Sequence, residues 1–300
     1  MPAPRSAAAG AGLEIDLDTG RLWVFLGGFV LFFGLETLLP ARRSEQPRWR
    51  RVGFHVLVAT LNTLTVRVLV FVPFLLWTVH VEEQGWGIAR WLGLTGWVEL
   101  VAAVVVLDAF DYFWHRANHR VPFLWRMHKA HHADTAVDVT TALRFHPGEL
   151  LLSGLAKAAW VAIWGPSVLG WFLFEALISL CAQFHHGNFE FPRRVDDVLQ
   201  RVFVTPRFHA LHHAVDRRFG DRNFSTILSI WDPLFGTAVA SDAPRPDLGA
   251  PGALGLPEAR EQAFSLGAWL LEPFAARNMP LARRRSDGHD PDTNTTGARS

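Results

Sequence analysis

The chain has 300 residues, with 29 basic and 28 acidic side chains, so net charge offers no basis for a nucleic-acid or strongly acidic partner. Half of the residues are hydrophobic and only 19% are charged, which points to a membrane protein with a substantial water-facing part. The 13 Trp and 23 Phe fit that reading, since Trp favours the membrane interface. The single cysteine, Cys181, excludes an intrachain disulfide, and the 14 His stand out.

In chain order, residues 1–20 read as a flexible N-terminus with no apolar core of a cleavable signal peptide. Leu22–Leu39 is an apolar run long enough to cross a bilayer. Val52–Val79 follows, interrupted by Asn62 and Arg67, and then Leu94–Trp114. Leu150–Trp164 and Val168–Ala182 are shorter and joined by Gly165-Pro166-Ser167, which suggests a hairpin dipping into the membrane. The expected fold class is all-α: an integral membrane bundle of four to five helices, or three and a hairpin.

Charges orient these runs. Arg42, Arg43, Arg48, Arg50 and Arg51 face one acid, Glu45, between the first two runs, so this loop stays in the cytoplasm. Glu82 and Glu83 follow the second run, whose loop would face outward. Tracing the remaining runs places every clustered histidine on the inner side, with His55, His80 and His289 read as structural or tail residues. Arg67 and Glu175 lie inside apolar runs and are expected to pair with each other or line a substrate path. Residues 21–240 form the membrane domain. Residues 241–300 comprise a Pro/Gly-rich linker, an amphipathic segment at Pro257–Phe274 suited to the membrane surface, and a disordered tail from Leu281.

Three histidine boxes carry the chemistry: His115-Arg-Ala-Asn-His119, His128-Met-Lys-Ala-His131-His132 and His209-Ala-Leu-His212-His213. Residues four apart on a helix share a face and can share a metal. One such pair is weak evidence, but two HxxHH boxes on one side of a membrane are hard to obtain by chance. Imidazole suits Fe, Zn and Cu, and eight or more histidines exceed what one metal can use, so two metals are the economical reading. Asp108 and Asp111 continue the helical stripe of His115 and His119 and are candidates to orient those rings. Further candidates, as ligands or as partners of ligands, are His146, His185 with His186, Asp138, Asn188 and Asp216.

The order HxxxH, HxxHH, Arg144-Phe145-His146-Pro147, His185-His186-Gly187-Asn188 and HxxHH resembles the sterol desaturase and fatty acid hydroxylase superfamily. So do Asp108-Ala-Phe-Asp111-Tyr112-Phe113-Trp114, Thr205-Pro206-Arg207-Phe208, Asn223-Phe224 and Trp231-Asp232-Pro233-Leu234-Phe235-Gly236-Thr237. The resemblance covers roughly Val52 to Val239. It implies a helical membrane domain with a cytoplasmic cap holding two irons, which zinc can replace on purification. It implies oxidation of a lipid, by hydroxylation or desaturation, with O2 and two electrons. Carried over by position, the ligands would be His115, His119, His128, His131, His132, His186, His209, His212 and His213. Ala182 stands where some relatives have another histidine, which directs attention to His146 as a replacement.

No glycine-rich dinucleotide fingerprint or cysteine set for an iron–sulfur cluster is present, so a separate ferredoxin, cytochrome or reductase is implied. The expected location is the inner cell membrane. Two rival readings are a zinc-dependent membrane hydrolase and a non-catalytic membrane metal-binding protein. Catalytic zinc typically uses three protein ligands and water, which counts against the first. Ligands at the ends of the spans rather than within them count against the second.

Overall fold

The computed structural model describes residues 7–44, 46–240 and 245–274, with residues 7–18 and 65–68 described by their backbone alone. The side chain of Arg67, and the expected disordered tail, lie outside the described residues. Among the described residues all regular structure is helical, apart from isolated bridges Phe203–Leu228 and Ala214–Leu254.

Helix α1 spans Ala7–Leu38 and therefore starts well before the apolar run. Helix α2 (Arg48–Val66) passes through a π-turn at Arg67–Phe71 into α3 (Val72–Glu83), and a one-turn α4 (Ile88–Trp91) follows. Helices α5 (Gly96–Arg120) and α6 (Pro122–His132) meet at Val121, whose extended backbone precedes Pro122. Helices α7 (Pro147–Trp164) and α8 (Val168–His186) form the hairpin. Gly165 closes α7 with φ +71°, a conformation that favours glycine.

Among the described residues, two helical stretches are long and apolar enough to cross a membrane, Thr19–Leu38 and Val168–His186. The α2–α3 unit makes a third if its two halves, bent by 46°, are one span. The expected crossings at α5 and α7 are not among them. Helix α5 carries Glu99, Asp108 and Asp111, and α7 carries Glu149 and Lys157, and these charged groups are satisfied inside the bundle.

Side-chain contacts fix how the helices run. Gln183 Nε2 donates to the Phe25 carbonyl, the Phe32 and Phe184 rings lie 5.6 Å apart, and Asn188 N–H donates to Glu36, so α1 and α8 are parallel. Ser167 meets Glu99, and Leu107 packs with Phe174, so α5 also runs with α8. Phe74 packs on Trp171 while Glu82 reaches Val168, so α3 runs against α8. Trp77 Nε1 donates to the Ala158 carbonyl of α7, which runs with α3. These directions match the alternation expected from the charges.

At the hairpin tip the first N–H groups of α8 have no partner within the helix. Glu99 accepts from Ser167 N at 2.8 Å and Ser167 Oγ at 2.7 Å, and Glu82 accepts from Val168 N at 2.8 Å. Both carboxylates sit at the positive end of the helix dipole. Glu99→Ala is expected to cost about 1–3 kcal/mol, because a buried helix start loses its acceptor. A melt followed by circular dichroism in detergent checks this, and an unchanged midpoint would contradict it.

A buried polar network fills the opposite end. Arg51, 2% exposed, donates to Asp138 at 2.6 Å, to Asp134 at 3.1 Å and to the Ala136 carbonyl. Burial alone would raise the Asp134 pKa, but Arg51, His55 and Arg144 outweigh it and hold the carboxyl at about 2. Asp138, a candidate near the metals from sequence, instead pairs with Arg51 and caps the 3-10 turn Val139–Leu143. His55 belongs to the same network through Thr140 at 2.7 Å, and His80 packs among Trp77 and Trp86.

Short helices complete the histidine-bearing end of the bundle: α9 (Arg193–Leu199), α10 (Pro206–His212), α11 (Arg217–Gly220) and α12 (Trp231–Leu234). Residues 257–274 differ from the expected membrane-surface helix. They break into a 3-10 turn (Pro257–Gln262), α13 (Leu266–Leu271) and a second 3-10 turn (Glu272–Phe274). Leu256 and Ala259 pack on Trp125 and Ala133, and Trp269 packs on Phe54, Val58 and Ala130. Lys129 pairs with Glu272. The apolar side of this segment is therefore spent on α2 and α6 rather than on lipid. Only its end leaves large apolar residues exposed, at Leu270, Leu271 and Phe274.

Candidate metal centre

The C-terminal ends of α5 and α8 converge with α6 and α10 and bring the histidines together. His115, His119, His128, His132 and His212 offer ring nitrogens within 4.8 Å of one another, and so do His131, His186, His209 and His213. All nine ligands expected from sequence fall into these two groups, and no histidine belongs to both.

Helical geometry explains the sorting. Residues four apart lie about 40° past one turn, whereas those three apart fall about 60° short of it. Each i, i+4 pair therefore faces one way: His115 with His119 and His128 with His132 in the first group, His209 with His213 in the second. The middle histidine of each HxxHH box faces the other group: His131 crosses to the second and His212 to the first. The boxes interlock, and the rings of His132 and His213 stack across the boundary with centroids 4.5 Å apart.

Within each group the Nε2 atoms converge. His132 Nε2 lies 3.1 Å from those of His119 and His128. His186 Nε2 lies 3.1 Å from that of His131 and 3.0 Å from that of His209, which is 3.2 Å from that of His213. Nitrogens held about 2.1 Å from one ion, at right angles about it, stand about 3.0 Å apart. His212 Nε2 is buried and lacks a hydrogen-bond partner among the described residues. Burial first, and neighbouring imidazoles second, push His131, His132, His209 and His213 well below the usual histidine range. Burial also takes His212 down to about 3. Neutral imidazoles with free lone pairs are what a metal requires, so both groups fit one.

The far side of several rings is fixed as metal-bound imidazoles normally are. His128 Nδ1 lies 2.7 Å from Glu149 Oε1, and His186 Nδ1 donates to the Ala182 carbonyl at 2.7 Å. Three further rings use one stretch of backbone. His212 donates to the Arg222 carbonyl at 2.7 Å, His115 to Phe224 at 2.8 Å and His185 to Thr226 at 3.1 Å. The carbonyls of Arg222, Phe224 and Thr226 thus form a strip against the rings.

Polar residues of the sequence pattern build this strip. Asp232 accepts from the N–H groups of Phe224 and Ser225, both at 2.8 Å. Asn223, at φ +59°, donates to the Phe208 carbonyl and accepts from Val239 N. Asp108 accepts from Ile227 N, Leu228 N and Trp231 Nε1. Asp111 accepts from Thr226 Oγ1 at 2.6 Å.

These contacts correct several expectations. Asp108 and Asp111 touch no histidine ring. They secure the strip that does, because His115 Nδ1 is already taken by Phe224. His146 is not at the centre: its Nδ1 caps α7 by accepting from Gly148 N, and its Nε2 faces the Leu270 carbonyl at 3.3 Å. Asn188 clamps the chain after α1, accepting from Arg42 N at 3.0 Å and donating to its carbonyl at 2.8 Å. Asp216 caps α11 and pairs with Arg218. His185 packs on His209 with centroids 4.0 Å apart but joins neither group. Glu175 pairs with Lys157 at 3.0 Å and Arg21 at 3.8 Å. Glu149 was not singled out from sequence; its place, three residues after His146 at the start of α7, was the available signal.

Glu149→Ala is expected to lower the metal affinity of the first group about 10- to 100-fold, whereas His146→Ala should leave metal stoichiometry unchanged. Competitive chelation of the two purified variants separates these outcomes. Equal metal loss from both would contradict the assignment.

A cavity of about 350 Å³ opens on this centre, with His115, His128, His131, His186 and His209 in one wall.

Comparison with known proteins agrees with this geometry. The fatty acid hydroxylase family model matches residues 100–237, which contain both histidine groups. Human alkylglycerol monooxygenase is 30% identical over 44% of this chain and 29% of its own length. An ornithine lipid hydroxylase of Rhizobium tropici is 25% identical over 81% of this chain and 75% of its own. The sphingolipid C4-hydroxylase of Schizosaccharomyces pombe is 34% identical over 45% and 46%. The chain thus spans less than a third of the human relative it matches. No solved structure matches it. Residues 100–237, which carry the interlocked histidine boxes, are thus similar to the fatty acid hydroxylase family.

Proposed function

We propose that this protein is a membrane-bound two-iron oxygenase that hydroxylates a C–H bond of a lipid, using O2 and two electrons. The observation that carries the reading is the sorting of nine histidines into two separate, adjacent groups beside one cavity. Five and four imidazoles exceed what catalytic zinc ordinarily takes from a protein. The relatives are named as monooxygenases and hydroxylases of alkylglycerols, ornithine lipids and sphingolipids, which supports a lipid substrate.

The first iron would be held by His115, His119, His128, His132 and His212, and the second by His131, His186, His209 and His213. Iron bound there supplies O2 activation and the oxidising power that breaks the C–H bond. The chain's own residues do the rest. Glu149 and the carbonyls of Ala182, Arg222 and Phe224 fix ring orientation. The cavity positions the substrate and limits access of water. Hydroxylation is preferred to desaturation because it needs no second positioned hydrogen.

Electrons come from a separate ferredoxin, cytochrome or reductase. The site faces the cytoplasm from the inner membrane, a placement supported by the arginine-rich loop after α1 and by the alternating helix directions. Mössbauer spectroscopy on detergent-purified protein grown with iron-57 tests the site. A coupled pair of irons is expected. Absence of iron after anaerobic ferrous reconstitution would sink the proposal.

A further inference from the structure

The cavity has a second end. Away from the histidines it is lined by Asp111, Ser153, Lys157, Glu175 and Ser179. A smaller space of about 170 Å³ shares Leu150, Ser153, Lys157 and Glu175 with it and continues between Phe71, Phe74 and Trp171. The two spaces adjoin, and the Lys157–Glu175 pair lines both. Both side chains are partly exposed, at 18% and 21%, and they line the two spaces.

The pair ties α7 to α8, and Arg21 adds α1. Lys157 and Glu175 cap no helix and make none of the ring contacts at the metal centre. Charged groups at membrane depth are costly and usually mark a substrate or ion pathway. The charges nearly balance: Lys157 and Arg21 against Glu175 and Asp111, with Arg21 also lying over the Phe71 ring at 4.3 Å. Lys157 Nζ can donate only, and the carboxylates can accept only. A ligand group that both accepts and donates satisfies the two together. A bare hydrocarbon would take the remaining donors and acceptors of the pair out of water and offer them no further partner. A free carboxylate would meet two like charges.

Lys157 lies about two turns beyond Glu149 on α7, a rise of about 12 Å from the residue that holds His128. A polar group seated on the pair would place the adjoining hydrocarbon against the histidine wall. We infer that Lys157 and Glu175 form a recognition site for the polar group of the substrate. The substrate class is a lipid carrying an uncharged hydrogen-bonding group, a hydroxyl or an amide, at a fixed distance from the oxidised carbon. This deepens the oxygenase reading and rests on it for the word substrate. The binding site itself does not.

The test is binding to the full chain in detergent micelles. The probes are matched bromoalkyl chains ending in methyl, hydroxyl, N-methylamide or carboxylate. Bromine quenching of tryptophan reports occupancy, and its loss in Trp114→Phe assigns the signal to the cavity, whose wall holds Trp114. The hydroxyl and amide probes should bind about tenfold more tightly than the methyl and carboxylate probes. Glu175→Gln should strengthen carboxylate binding about tenfold, because Lys157 and Arg21 then face it with Asp111 as the one remaining carboxylate. A variant that merely loosens the fold would weaken all probes together. Equal binding of methyl and hydroxyl probes to the wild type, or an unchanged order in Glu175→Gln, would overturn the inference. The same order without any O2-dependent product would uphold this site while removing the oxygenase reading. Oxidation of the methyl-ended and amide-ended probes with equal KM would overturn this site while upholding the oxygenase.

Discussion

His131→Ala and His132→Ala are expected to strip different metals, although the two residues are neighbours in sequence. His132 stands with His119 and His128, and His131 stands with His186 and His213. Each variant should fall from two metals per chain to about one, with lipid-oxidising activity reduced more than about 100-fold in both, since ligand loss exceeds loss of a ligand's supporting contact. Pairing either change with a second in the same group should add little to the metal loss: His132→Ala with His212→Ala, or His131→Ala with His209→Ala. His131→Ala combined with His132→Ala should leave essentially none. Metal analysis with protein quantification reads all of these. If each single variant lost both metals, the two groups would be one cooperative cluster and the sorting by helical phase would carry no functional meaning.

The largest effect on stability is expected at Arg51. Its guanidinium is buried and joins two carboxylates, Asp134 and Asp138, from the loop that follows α6. Arg51→Ala leaves both acids without their cation in a site that water does not reach. Removing one partner of a buried ion pair costs about 3–5 kcal/mol, far more than losing an exposed one. Arg51→Lys should recover only part of this, because ammonium cannot reproduce the fork that contacts two acids and a carbonyl. The expected result is a lower melting midpoint in detergent, with alanine well below lysine. A midpoint within error of wild type for Arg51→Ala would show that the network contributes no net stability.

What the sequence disclosed about this molecule follows the range of its interactions. Metal ligands on a helix recur at three and four residues, so His128, His131 and His132 announce themselves within five positions. The apolar runs and the arginine-rich loop are equally local, and they gave helix order and direction. Partners from distant segments were not visible. Glu149 lies 21 residues from His128, and Asp108 lies 119 from Ile227. The strip at residues 222–226 acts through backbone carbonyls, which every residue possesses, so no side-chain type marks it. Asp111, offered on its spacing, and Asn188, a weaker candidate, went instead to Thr226 and Arg42, whose proximity only the tertiary fold creates. The C-terminal segment 257–274 has apolar spacing that suits a lipid surface or a protein surface equally. The packing of Trp269 and Ala259 on α2 and α6 decided between them.

The most direct test of the central claim is isotopic. Iron-loaded full-length protein in its own membrane lipids, with a reductant, would be exposed to 18O2 and the lipids analysed by mass spectrometry. The account predicts a lipid product carrying one 18O atom, absent without reductant and absent in His131→Ala. Oxygen drawn from water, or a lipid cleaved without O2, would contradict it and return the site to hydrolytic metal chemistry.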